Sequence, residues 1–211
     1  SGARIVVCNV AEGGQPVSYF LSPSAGYTRM QDVRARFLFP HTIHFHQGEA
    51  NAGGSGGGAA AWPAGFDTFA AEQRSLFGRS ASQLSILMGV IGSVSTASES
   101  AGYSAMRAAI IAKHNPANGI YVTHCALDFA MNMTQSPVIH YASYIKHARI
   151  ISRAMQEDCG FIATVGSPGV VDPKITSFSR TGADIVATVV HNNGDDLTVP
   201  ANAPFSARLQ S

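Results

Sequence analysis

The chain of 211 residues is 45% hydrophobic and 13% charged, enough apolar material for one packed domain with a small appendage. Its formal net charge of +1 is spread without basic or acidic blocks, which argues against nucleic acid or an anionic membrane surface as a partner. No apolar run reaches the ~20 residues that cross a bilayer, and no leader-like order of basic, apolar and small residues opens the sequence.

In chain order, "RIVVCNVA" (Arg4 to Ala11) predicts a buried strand, and its position directly after "SGAR" reads as a start inside a domain. Tyr27, Met30, Val33 and Phe37 then make a helical stripe, followed by a strand in "TIHFHQ" (Thr42 to Gln47). The glycine tract Gly53 to Gly58 predicts a surface loop, because glycine loses more backbone entropy on ordering than any other residue. A second stripe, Phe66, Phe69, Ala70, Gln73, Leu76 and Phe77, stops at Gly78. The strand "LSILMGVIG" (Leu84 to Gly92), a stripe of Tyr103, Met106, Ala109, Ile110 and Lys113, and the strand "IYVTHCA" (Ile120 to Ala126) follow.

The last helix has Tyr141, Tyr144, Ile145, Ala148, Ile151 and Met155 on one face, with Lys146, Arg149 and Arg153 mostly off it. Strands alternating with helices predict an α/β fold, a doubly wound parallel sheet joined by right-handed crossovers. After Gly160 the alternation of Ile185, Ala187 and Val189 and the turn signals "RTGAD" and "NNGDD" predict β-hairpins. We place the boundary near "SPGVVDP", giving an α/β domain over 1–166 and a β-rich appendage over 167–211. Cys8, Cys125 and Cys159 have no metal-ligand spacing and read as buried free thiols.

Ligands of an open parallel sheet bind beyond the carboxyl ends of its strands. Three polar elements fall there: "EGG" (Glu12 to Gly14), "HQGE" (His46 to Glu49) and "SPVIHY" (Ser136 to Tyr141), which delivers His140 to the start of the last helix. His44 and His46 lie on one face of a strand, a His-x-His pair that can ligate zinc given further ligands. His114, His124 and His147 show no spacing that completes such a set, and histidines that hydrogen-bond within the sheet are the simpler reading.

Gly-Gly after one strand, His-Gln-Gly-Glu after the next and a histidine opening the final helix together resemble the SGNH hydrolases. The similar branch is that of sialate and xylan O-acetylesterases and related phage tailspike deacetylases. The resemblance runs over roughly Ile5 to Met155, on "CNVAEGGQPVSYFL", "YTRMQDVRARFLFPHTIHFHQGEAN" and "IHYASYIKHARIISRAM". It implies a metal-free, cofactor-free esterase whose base is His140, with the Gly14 N–H and the Gln47 amide as oxyanion donors. Gly13 and Asn51 would then line the substrate site, and Glu49 is the acidic residue that part of this branch uses beside the histidine. Glycine at 13 and 14 lets the backbone approach the substrate closely, and Glu49 has a second reading as a carboxylate holding its own loop.

Two departures stand out. The aspartate that many SGNH enzymes place three residues before the histidine is Pro137 here, leaving a Ser-His dyad or an orienting role for Glu49, with Asp128 the weaker candidate. The serine turn of the first block has no match, and Ser18, Ser22 and Ser24 follow the Gly-Gly block without the motif. The resemblance therefore implies that the first strand and its nucleophilic serine lie upstream of this sequence or on another chain. It further implies an O-acetylated carbohydrate as substrate, a virion or secreted location and a possible homotrimer. The alternatives are a non-catalytic glycan-binding or structural virion spike domain, and a metal-dependent hydrolase built on His44, His46 and a later histidine.

Overall fold

The computed structural model describes residues 6–36, 38–92, 100–126, 144–159, 174–181 and 184–190. The architecture is mixed α/β around a three-stranded parallel sheet of order β1-β2-β3, formed by Thr42–His44, Ser85–Val90 and Ile120–Cys125. The central strand β2, "SILMGV", is buried at five of its six positions, as suits a parallel strand covered on both faces.

Strand periodicity divides the core in two. Ile86, Met88 and Val90 of β2 pack with Trp62, Phe66 and Phe69 of a long helix and with Tyr103, Met106 and Ile110 of another. Leu87 points the other way, toward Tyr121 of β3 and Ala154 of the last described helix. We number the helices α1 (Ala25–Ala35), α2 (Glu49–Ala52), α3 (Gly58–Phe77), α4 (Ser100–Ala112) and α5 (Ile145–Asp158). Thus α3 and α4 cover one face of the sheet while α5 covers the other.

The predicted stripe of α3 is buried at Phe66, Phe69, Ala70, Gln73 and Phe77, and the helix ends on Gly78 with φ +61°. Phe45, just beyond β1, stacks on Phe69 with ring centroids 4.3 Å apart, fastening that strand to α3. At its start, α1 is capped by Ser24, whose hydroxyl oxygen accepts from the Tyr27 N–H.

Four expectations need correction. Residues 6–12 form no strand; Val6 and Val7 are 68% and 85% exposed, and Cys8 is exposed. A strand exists only when its backbone groups have a ladder partner, and among the described residues β1 pairs with β2 alone. The second strand keeps three of its six predicted residues, because after the Phe45 N–H bonds the Leu87 carbonyl at 2.9 Å the chain turns toward α2.

Among the described side chains of α5, His147, Ile151 and Ala154 are buried, whereas Ile145 and Ala148, like Tyr144 just before the helix, are exposed. Asp158 at the end of that helix accepts from the Thr42 and Ser85 hydroxyls, both at 2.6 Å, which pins α5 across the starts of β1 and β2. Cys8 and Cys159 are free, as expected, but exposed rather than buried. β4 (Lys174–Thr181) and β5 (Asp184–Val190) form an antiparallel hairpin whose last pair, Thr181 with Asp184, falls within the predicted "RTGAD" turn signal. The "NNGDD" signal and the boundary segment Ser167 to Pro173 lie outside the described residues.

Candidate active site

At the carboxyl end of β1 the chain passes through His46 and Gln47 into α2, and the loop Gly13–Val17 lies against this turn. Side-chain amides join the two. Gln47 Nε2 donates to the Gln15 carbonyl at 3.1 Å and to Asn51 Oδ1 at 2.9 Å, and the Val17 N–H donates to the same Asn51 oxygen at 2.9 Å. Trp62 of α3 completes the network, its indole N–H meeting Gln47 Oε1 at 2.6 Å. Five polar groups that burial would otherwise penalise therefore satisfy one another, which fixes the spacing of loop and turn.

The loop that carries Gly14 and the turn that carries Gln47 are thus bonded to each other. Gly14 is exposed, with φ +71° and nothing within 4 Å of where a Cβ would stand, and the next residue's carbonyl meets the Gln47 amide. Gly13 beside it is equally open. Asn51 behaves differently from the expectation that it lines the substrate site. It is 0% exposed, and its Nδ2 donates to the Ser55 carbonyl at 3.0 Å, so in this conformation it braces the site from behind.

Asn51 also explains the glycine tract, which is organised around this side chain and continues into the first turn of α3. Gly56 has φ +57°, and a Cβ there would come within 2.6 Å of the Pro16 Cβ. Glycine is required at 56 because the backbone is left-handed and pressed against the Gly13–Val17 loop. The tract lies at the surface as expected, with residues 53–57 exposed, but it is an ordered turn held by Asn51 and not an open linker.

The other side of the turn is a histidine cluster. His44 at the end of β1 shares a row across the sheet with Leu87 and Tyr121, on the face that α5 covers. From α5 His147 reaches this face, its ring centroid 5.3 Å from that of His44 and 4.7 Å from that of His46. Glu49, in the first turn of α2, has Oε1 3.3 Å from His46 Nε2. Burial first, and then neighbouring His46, lower the pKa of His147, with the Glu49 carboxylate partly opposing both, and the net value is about 4. Its ring is therefore neutral near pH 7.

Sequence spacing did not single out His147, since its approach to His44 and His46 depends on how α5 crosses the sheet. The only available signal was a histidine on a helix that the strand order sets against β1. Trp62 was likewise invisible as a partner of Gln47. His140, Pro137 and Asp128 lie outside the described residues. Of the serines after Gly14, Ser24 caps α1 and donates to the Tyr19 carbonyl, and the Ser22 N–H bonds Glu72; neither hydroxyl contacts Gln47. A cavity of about 390 Å³ opens between Val7–Val10 and Arg29, Asp32 and Val33 of α1 with Arg36 just after it, and none of the candidate residues lines it. Against known proteins, no family model matches the chain and no curated relative was found.

Proposed function

We propose that the chain is the carboxyl-terminal part of a carbohydrate O-acetylesterase built on a doubly wound sheet, acting on an O-acetylated surface polysaccharide. What supports this reading most is the direct bonding of the Gly13–Val17 loop to the Gln47–Asn51 turn, since the mechanism needs the Gly14 N–H and the Gln47 amide at one rim. The Gln47 hydrogen bonded to Asn51 is buried, whereas the one bonded to the Gln15 carbonyl at 3.1 Å is only partly so. This second hydrogen is the one offered to substrate, whose oxyanion would take the place of the Gln15 carbonyl.

In the proposed reaction a serine from outside this sequence attacks the acetyl carbonyl and gives its proton to His140. The oxyanion of the tetrahedral intermediate is met by Gly14 and Gln47. Collapse expels the sugar oxygen, which takes the proton from His140, and water then releases acetate from the acetyl-serine. Asn51 and Trp62 position Gln47, and Glu49 is the acidic neighbour. A virion or secreted setting and a homotrimer belong to the same proposal.

The test is acetate release from acetylated saccharides by the protein expressed with whatever upstream sequence its gene encodes. Gln47→Ala should lower kcat by about 10²- to 10³-fold. His140→Ala should abolish turnover with the Trp62 emission unchanged. Full activity in His140→Ala overturns the mechanism, and saccharide binding without any acetate release turns the reading to a glycan-binding spike domain.

A further inference from the structure

We propose that His44, His46 and His147 form a binding site for one divalent transition-metal ion of the zinc class. The proposal is independent of ester hydrolysis: acetate release without metal uptake, or uptake without acetate release, separates the two.

The ligand-capable atoms of the three histidines all lie within 4.8 Å of one another. They come from two elements packed face to face, His44 and His46 from β1 and the turn after it, and His147 from α5. With Zn–N bonds of about 2.0–2.1 Å, the nitrogens of a tetrahedral site stand about 3.3 Å apart. Closing the cluster to that spacing takes shifts of about 1 Å, within reach of small side-chain rotations. The three rings are not packed as one stack: His44 and His46 are inclined by 29°, whereas His147 is edge-on to His46 at 86°. Donors approaching from different directions suit a common centre better than a parallel pile would.

The donor chemistry selects the ion. Three imidazoles suit zinc, cobalt, nickel or copper, whereas magnesium and calcium require oxygen. Glu49 supplies the supporting contact such sites use. Its Oε1 lies 3.3 Å from His46 Nε2, placed to accept the N–H there and leave the buried Nδ1 as the donor. Three protein ligands leave the fourth position to water or a small anion. Bound metal would also clip α5 to the edge of the sheet.

Tag-free protein stripped with chelator should take up one equivalent of Zn²⁺ by calorimetric titration, with a rise in thermal midpoint. X-ray absorption of the wild-type Zn²⁺ complex should show about three imidazoles at about 2.0 Å. His44→Gln and His147→Gln should each weaken uptake by more than about 100-fold, beyond the ~10-fold expected for Glu49→Gln. His41→Gln, on the exposed residue before β1, should change nothing. Absence of stoichiometric uptake, fewer than two imidazoles in the absorption spectrum, or undiminished uptake in both ligand variants overturns the site. The spectrum needs no variant and decides the matter even where a substitution prevents folding.

Discussion

Replacing Asn51 by alanine tests the framework of the site. The side chain is 0% exposed, and its Oδ1 accepts from the Val17 N–H and from Gln47 Nε2, both at 2.9 Å. Alanine leaves these two buried donors without that acceptor, at about 1–3 kcal/mol each. The Ser55 and Gly56 carbonyls released on the other side belong to exposed residues and that of Gly58 to a half-buried one, so all three regain water and add little. The expected loss is about 4 kcal/mol, a large share of the roughly 5–15 kcal/mol that holds an ordinary domain. Trp62 is the sole tryptophan, fully buried and bonded to Gln47, so its emission in a urea titration reports on this network. The Asn51→Ala midpoint should fall with unchanged slope. Asn51→Asp should be no better at neutral pH, because it turns a carboxylate oxygen toward the carbonyls that now receive the amide N–H. A loss below about 1 kcal/mol in Asn51→Ala would refute the claim that this side chain holds loop and turn together.

Two further outcomes are expected. Gly56→Ala should cost about 1–3 kcal/mol and more than Gly78→Ala, since both sites have positive φ but only at 56 does the new Cβ meet a neighbour, Pro16 Cβ at 2.6 Å. Equal costs in the urea titration would mean that the glycine tract does not press on the Gly13–Val17 loop. For His147, the folded ring resists protonation until about pH 4, while the unfolded chain takes up a proton near pH 6.5. Stability of chelator-treated protein should therefore be full above pH 6.5 and fall as the pH drops from 6.5 to 4, by at most about 3 kcal/mol. His44, His46 and Glu49 face the same ring, so His147→Gln, which removes only this group, must flatten the slope between those pH values if the assignment is right.

The amino-acid order alone determined the elements whose apolar spacing is local: the α3 stripe ending at Gly78, β2 as a strand buried on both sides, α4, and the hairpin around "RTGAD". These patterns depend on residues within one or two turns of each other, and local sterics and burial read them out directly. What lies between elements was decided by tertiary contact. The Arg4 to Ala11 run has the composition of a strand, yet residues 6–11 have no ladder partner among the described residues. The glycine tract has the composition of a linker, yet it is gathered around one asparagine. His147 turns inward, and Ile145, the more apolar residue, turns out, because α5 crosses the sheet where His44 and His46 already stand. A hydrogen bond or an imidazole pair is a short-range event in space, and sequence separation carries no information about it until the sheet order and helix placement are set.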